Sequence, residues 1–473
     1  MDAVVRTSAG RVRGVARDGV VSFRGIPFAA APEGPLRFAA PAPAPAWDGV
    51  RDAVTFGAAP PQPPAMPGMP AIWRPGDGLD CLTVNVWTPA LGAAGLPVMV
   101  WIYGGAWFSG SASQPGYDGA LLAGAGVVMV SFNYRVGFDG FGLLPGTPAN
   151  RGLLDQAAAL EWVRTEIAAF GGDPGNVTVF GESAGAGSVT VLVSSPATRG
   201  LLRRAIAQSV PVGTITAEEA EQVTGLMAAA AGAEPTREGF AGLSPERILR
   251  VQGVRLPGRD EGITPFGPVI DGELVTGQPW ETIGEGRDVD LICGFTHEEF
   301  QLFAPATDPA VIDLAAAAAS LRLGPDAAGA YRAAYPGLGE TALFSVMMSD
   351  ALFRMPSTWV AEAHARAGGR TWLYDFAWRS PAFGACHALD VPFTFGDGET
   401  PMAAWLLGSP PPADFAVLSE HIRRAWTAFA ATGDPGWPRF DLEHRSTRIW
   451  DVPPSDLPYP LAASAEIWGR DGR

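Results

Sequence analysis

Val177-Thr178-Val179-Phe180-Gly181-Glu182-Ser183-Ala184-Gly185 places a short apolar run directly before the pattern G-x-S-x-G. The run has the length and β-branched content of a buried strand. Gly185–Ser194 follows with helix-forming composition. The two glycines let the backbone reverse sharply between strand and helix, where a Cβ would collide. Such a turn lifts the Ser183 hydroxyl to the C-terminal edge of a sheet and onto a helix N-terminus. The helix dipole there favours developing negative charge. In a chain with 59 glycines the pattern alone is weak, and a Gly/Ser turn without chemistry would produce it too. The strand before it and the helix after it give it meaning.

Working outward, Leu82–Trp87, Val98–Tyr103 and Val127–Phe132 are short apolar runs bounded by turn signals and read as central strands. Asp155–Phe170 carries apolar residues at helical spacing and stops at Gly171-Gly172-Asp173-Pro174, a terminator and turn. Asn176–Phe180 is the next strand. Residues 2–26 alternate apolar and polar with glycine breaks, which predicts an N-terminal hairpin. Residues 29–78, rich in Pro, Ala and Gly, read as a long ordered loop anchored by Trp47, Phe56 and Trp73. Residues 215–365 are Ala-rich and helical, interrupted by a strand at Val289–Cys293. A strand at Thr371–Phe376 and a helix at Asp414–Thr432 follow. This alternation predicts an α/β fold with a large, mostly parallel central sheet flanked by helices. The expectation is one domain spanning 1–473, with helical insertions roughly within 215–365.

Composition narrows the function classes. Of 473 residues, 47% are hydrophobic and 17% charged, values of a globular enzyme. The formal net charge of −16 argues against a nucleic-acid partner. No lysine occurs among the 33 basic residues, all of which are arginine. That excludes lysine Schiff-base chemistry, pyridoxal attachment and a P-loop. The Arg, Ala, Gly and Pro bias points to a GC-rich bacterial genome. Cys81, Cys293 and Cys386 supply neither a disulfide framework nor a metal-binding spacing, so no metal or cofactor is expected. The first 25 residues lack the apolar core of a signal peptide, and no run is long enough for a transmembrane helix. A cytoplasmic location is therefore expected.

A serine hydroxyl is a poor nucleophile until a base takes its proton. A tetrahedral oxyanion also needs hydrogen-bond donors. Trp101-Ile102-Tyr103-Gly104-Gly105-Ala106-Trp107 follows a strand and has the form of a glycine-rich oxyanion loop. The Ala184 amide, next to Ser183, is the natural further donor.

The chain resembles the type B carboxylesterases, the family that includes cholinesterases and bacterial p-nitrobenzyl esterases. The resemblance begins at Phe23-Arg24-Gly25-Ile26-Pro27-Phe28 and continues through Leu36-Arg37-Phe38 and Trp47-Asp48-Gly49-Val50. Asp80-Cys81-Leu82-Thr83-Val84-Asn85-Val86, Asn133-Tyr134-Arg135-Val136-Gly137, Gly152-Leu153-Leu154-Asp155-Gln156 and Phe170-Gly171-Gly172-Asp173-Pro174 follow in family order. The resemblance implies an α/β-hydrolase fold whose helical insertions form the pocket, and cleavage of small to medium carboxylic esters through an acyl-enzyme. It places the acid at Glu299, in Gly294-Phe295-Thr296-His297-Glu298-Glu299-Phe300. Phe300 stands where the family has glycine, which leaves Glu298 as the alternative. It places the base at His387, in Gly384-Ala385-Cys386-His387-Ala388-Leu389-Asp390-Val391-Pro392-Phe393. His297, His364, His421 and His444 occupy positions the family does not use for catalysis. The oxyanion donors become Gly105, Ala106 and Ala184.

Further implications are finer. Ala106-Trp107 replaces the commoner Gly-Phe, and this form of the loop is associated with esters of bulky alcohols. Trp107, Glu182 and Trp73 become candidate pocket residues, Trp73 because Trp73-Arg74-Pro75 resembles the cholinesterase loop that holds choline. Residues 57–80 contain no cysteine, so Cys81 should be unpaired. Leu79 replaces the family acid that pairs with Arg37, and Arg135 and Asp155 match another family ion pair. Two other classes stand beside the ester hydrolase: a non-catalytic binding module on the same fold, and an amidase or carbamate hydrolase using the same three side chains.

Overall fold

The computed structural model describes residues 3–64, 71–254 and 265–469. Strands β1 (Ala3–Arg6), β2 (Arg11–Arg17) and β3 (Val20–Pro27) form an antiparallel meander, with β4 (Val50–Asp52) paired parallel to β2. β5 (Thr83–Thr88), β6 (Leu96–Ile102), β7 (Val128–Phe132), β8 (Gly172–Glu182) and β9 (Arg204–Gln208) follow. β10 (Ile215–Thr216) and β11 (Val269–Ile270) make a separate parallel pair. β12 (Asp290–Thr296), β13 (Thr371–Phe376), β14 (Ser446–Trp450) and β15 (Ser455–Pro458) complete the series. The large sheet runs β1-β2-β3-β5-β7-β6-β8-β9-β12-β13-β14-β15. From β7 through β14 neighbouring strands are parallel, and antiparallel strands flank this core on both sides.

The central strands explain their own burial. Val84, Val86, Val98, Met99, Val100, Trp101, Val128, Met129, Val130, Val179 and Phe180 all lie in the core. Strands covered on both faces need such continuous apolar runs rather than alternation. Helices Ala184–Ser194, Met355–Arg366 and Phe415–Thr432 pack on the sheet over β8 and β9, β12 and β13, and β6 and β8. In an open parallel sheet the C-terminal strand ends leave crevices for ligands. The segments after β8, β12 and β13 therefore matter most.

Several expectations need adjustment. The N-terminal hairpin is a three-stranded meander, with Asp18 and Gly19 at positive φ in the β2–β3 turn. The expected turn at Asp173-Pro174 lies within β8 as a register irregularity: Leu96 faces Gly172, yet Val98 faces Val177. The sequence reading missed β9, β10, β11, β14 and β15. The loop 29–78 contains β4, and residues 65–70 of it lie outside the described residues.

Cys81, Cys293 and Cys386 are buried and unpaired. Arg135 meets Asp155 in a buried bidentate pair at 2.7 and 2.8 Å. Arg37, with Leu79 in place of its family partner, turns to Asp139 at 3.4 Å and to the Leu243 carbonyl. No helix among the described residues is long and apolar enough to cross a membrane.

Candidate active site

Ser183 caps β8 with φ 56° and ψ −125°, a conformation costly for a side chain bearing Cβ. Core contacts hold it there. Its amide donates to the Gln208 carbonyl on β9 at 2.9 Å, and its carbonyl accepts from Gly187 at 2.9 Å. The flanking glycines are obligatory by distance. A Cβ on Gly185 would stand 2.0 Å from the Ile102 carbonyl oxygen, and one on Gly181 2.7 Å from the same atom.

Three segments from the C-terminal edge of the sheet meet at this turn. His387, on the loop after β13, has Nε2 2.9 Å from Ser183 Oγ. Its Nδ1 lies 2.5 Å from Glu299 Oε2. Glu299, on the loop after β12, is fully buried, and its other oxygen accepts from the Thr296 amide at 2.9 Å. The His387 amide also donates to the Glu299 carbonyl at 3.1 Å. Glu298 points elsewhere: it pairs with Arg379 at 2.8 Å and accepts from the Ala385 amide at 2.9 Å. Of the two alternatives, the imidazole therefore meets Glu299.

The other histidines are engaged away from Ser183. His297 bonds to Asp375 and His364 to Thr371, His444 bonds to Asp441, and His421 is exposed. Among the described residues no group of three or more His, Cys, Asp or Glu is arranged to hold a metal ion.

The imidazole is buried and surrounded by acids. Glu182 Oε1 lies 3.0 Å from Nε2. Burial pushes the Glu182 carboxyl up to about 8; the His387 charge opposes this, while Asp390 and Glu299 add to it. Burial disfavours the imidazolium, but Glu182 and then Glu299 outweigh it and raise His387 to about 9. Groups this close titrate as a coupled pair. Burial also raises Asp390 to about 6, although Gln208 Nε2 and Tyr374 OH donate to it at 2.9 and 2.8 Å.

A feature the sequence reading missed covers the ring. Asp350–Arg354 forms a π-helical turn, and Phe353 in it stacks on His387 with centroids 4.0 Å apart. Phe303 adds a second aromatic contact at 5.6 Å. The i,i+4 pair Asp350–Arg354 that supports this turn was the one signal available in the chain.

Gly105, Ala106 and Trp107 take φ values of 113°, 55° and 54°, so the loop after β6 turns tightly. The Gly105 carbonyl accepts from Phe108 and Ser109, both at 3.0 Å, and the Trp107 carbonyl accepts from Gly137 at 2.7 Å. A Cβ on Gly104 would stand 3.1 Å from Ser183 Cβ, so this turn lies close beside the serine. Ala184 opens the helix after Ser183, where first-turn amides have no intrahelical acceptor. Trp107 is buried behind the turn. Trp73 is buried in its own loop, its Nε1 donating to the Gly78 carbonyl at 3.1 Å. Among the described residues no hydrogen bond or ring contact joins Trp73 to Ser183 or His387.

A hydroxyl, an imidazole and a carboxylate linked in series at a strand-to-helix elbow define the serine hydrolase class on an α/β-hydrolase fold. The comparisons narrow the class. A sequence model of the carboxylesterase family matches residues 1–322 and 340–453. The chain is 38% identical over 469 residues to the para-nitrobenzyl esterase of Bacillus subtilis (strain 168), covering 95% of this chain and 94% of the relative. It is 35% identical over 481 residues to phenmedipham hydrolase of Pseudarthrobacter oxydans, covering 98% and 95%. Carboxylesterase EST55 of Geobacillus stearothermophilus superposes with a TM-score of 0.87 at 34% identity, covering 98% of this chain and 100% of that one. The chain belongs to the carboxylesterase family. It is a serine carboxylesterase, an enzyme rather than the binding module weighed above.

Strain at Ser183 can be isolated. Ser183→Ala and Ser183→Gly both remove the hydroxyl, but only glycine adopts this φ and ψ without cost. The glycine variant should be more stable than the alanine variant by about 1 kcal/mol in urea unfolding. Equal or lower stability would show that the elbow stores no strain.

Proposed function

We propose that Ser183 is the nucleophile, His387 the general base and Glu299 the acid that orients it, acting on small to medium carboxylic esters through an acyl-enzyme. The observation that carries this reading is the imidazole bridging Ser183 Oγ at 2.9 Å and Glu299 Oε2 at 2.5 Å. His387 Nε2 takes the hydroxyl proton as Oγ attacks the ester carbonyl carbon. The Gly105, Ala106 and Ala184 amides receive the oxyanion. His387 then returns the proton to the departing alkoxide and the alcohol leaves. Water, deprotonated by the same nitrogen, releases the carboxylic acid and restores Ser183. Glu299, wholly desolvated, holds Nδ1–H toward itself and stabilises the imidazolium at each proton transfer. Phe353 and Phe303 line the imidazole and exclude water from its face.

The reading takes the chain as one unit over 1–473, with the helical insertions within 215–365 building the pocket. The segment after β12 brings Phe303 and Phe353 to His387, which favours that arrangement. The form of the oxyanion loop at Gly104-Gly105-Ala106, which in the family accompanies esters of bulky alcohols, supports such esters as substrates.

A fluorophosphonate probe and a panel of p-nitrophenyl esters of rising acyl length test the assignment. Labelling and turnover are expected in the native enzyme, and both should vanish in Ser183→Ala. Tert-butyl acetate belongs in the same panel; no turnover of it would remove the bulky-alcohol part alone. Labelling that survives Ser183→Ala would overturn the nucleophile.

Glu299→Gln should lower kcat on the order of 1,000- to 10,000-fold by losing the orienting carboxylate. Glu298→Gln should cost less than about tenfold, because only the loop clamp to Ala385 and Arg379 weakens. The reverse order would transfer the role to Glu298.

Glu182 is assigned to the site beside His387 Nε2, where its charge sets the basicity of the imidazole. Catalysis needs the neutral imidazole, so kcat/KM rises as pH climbs through the His387 titration. Glu182→Gln removes the charge that raises this titration. The ascending limb of kcat/KM against pH should therefore shift to lower pH. An unmoved or alkaline-shifted limb would contradict the electrostatic assignment.

A further inference from the structure

Trp107 is buried. Its indole lies behind the oxyanion turn, wedged between two backbone positions that lack side chains. A Cβ on Gly187, in the helix Ala184–Ser194, would stand 2.7 Å from Trp107 Cζ2. A Cβ on Gly213, in the segment after β9, would stand 2.3 Å from Cζ3. The slot fits an indole because both positions are glycine.

Within this slot the ring N–H has one recorded partner. Trp107 Nε1 donates to Ser188 Oγ at 3.1 Å, and Gln156 Nε2 donates to the same oxygen at 3.2 Å. All three side chains are buried. Ser188 sits four residues after Ala184 on the same helix, and Gln156 belongs to the helix Arg151–Glu166. The hydroxyl thus fastens together the turn after β6, the helix that starts at Ser183 and a third element behind them. A phenylalanine at 107 would fill part of the slot and have no N–H to offer Ser188.

We propose that Trp107 is a positioning residue for oxyanion binding: its N–H bond to Ser188 locks the Gly105–Ala106 turn in register with the Ala184 amide. The oxyanion donors come from two different elements, and their spacing decides how well they meet one oxygen. A bond joining those elements one turn behind the donors sets that spacing. Little is needed of it in the ground state, where the substrate carbonyl accepts weakly. Its effect falls on the tetrahedral state, where the oxygen carries full charge.

This inference rests on the reading of Ser183 as nucleophile, and the test separates the two. Trp107→Phe, Ser188→Ala and the double variant are compared with the native enzyme by p-nitrophenyl acetate kinetics, by thermal melting and by inhibition with an aryl trifluoromethyl ketone. That ketone accepts Ser183 Oγ at its carbonyl carbon; the proton passes to His387 and the former carbonyl oxygen becomes an oxyanion. Each single variant should lose about five- to tenfold in kcat with KM within about twofold. Ketone inhibition should weaken by a similar factor. The double variant should lose no more kcat than either single one, because both remove one bond. Trp107→Phe should melt lower than Ser188→Ala, since it alone leaves a cavity, while the two share the same kcat loss.

Kinetics and ketone affinity within twofold of native in the single variants, or additive losses in the double variant, would overturn the tether. A lowered melting point with native kinetics would assign Trp107 a packing role only. Should Trp107→Phe fail to fold, Ser188→Ala carries the test alone. Fluorophosphonate labelling of the native enzyme runs in parallel. An unlabelled native protein sinks the nucleophile reading, whereas a labelled one with unaffected variants sinks the tether alone.

Discussion

Everything at the site depends on one crossing of backbones, where the turn carrying Ser183 passes the end of β6. Gly181 and Gly185 approach the Ile102 carbonyl so closely that neither tolerates a Cβ. The approach forces Ser183 into a positive φ, and the strain is held by hydrogen bonds to Gln208 and Gly187. One geometric fact thus accomplishes two things. It raises the hydroxyl above the sheet edge, and it brings the loop after β6 beside the serine, with no room for a side chain at Gly104. A looser crossing would separate nucleophile from oxyanion donors, since they belong to neighbouring strands.

The second constraint is electrostatic. A buried imidazolium is expensive unless charges repay its desolvation. Here Glu299 contacts one ring nitrogen and Glu182 approaches the other, with Asp390 close behind. Three buried carboxyls cannot all ionise cheaply around a single ring, so Glu182 and Asp390 both rise above the ordinary carboxylate range. Each of these two carboxyls therefore holds its proton to higher pH than an exposed acid would.

Much of this was legible in the chain, for reasons that differ by element. β5 to β8 are buried strands built around Val, Met, Trp and Phe, and Thr371–Phe376 has the boundaries its sequence suggests. Glycine punctuation marked the elbow and the helix ends. β9 escaped notice because Arg204-Ala205-Ile206-Ala207-Gln208 carries a single β-branched residue and polar ends. Its place is set by pairing with β8 and β12 rather than by propensity. β14 and β15 are short edge elements of mixed composition. Glu299 and His387 were placed by family resemblance, because spacing alone cannot show that residues 88 apart share a hydrogen bond. The stack of Phe353 on His387 left only the i,i+4 pair Asp350–Arg354 as a trace in the chain, because a π-helical turn is set by packing and the chain carries many other phenylalanines.

The parts that were illegible have a common physical character. Each is a contact made perpendicular to the chain by a residue whose neighbours in sequence give no hint of it. Phe353 covers the imidazole from the segment between β12 and β13, and Trp107 braces the oxyanion turn from behind. Glu298 clamps the acid loop to the histidine loop through Ala385. The reacting groups lie on loops, which are the least stable kind of backbone. Loops can hold a hydroxyl, an imidazole and two sets of amides in register only when each is fixed from a second direction. In this protein the fixing groups are aromatic rings and buried hydrogen bonds, which give up little conformational freedom and exclude water as they brace. Precision at the serine is therefore a property of this surrounding shell as much as of the elbow itself.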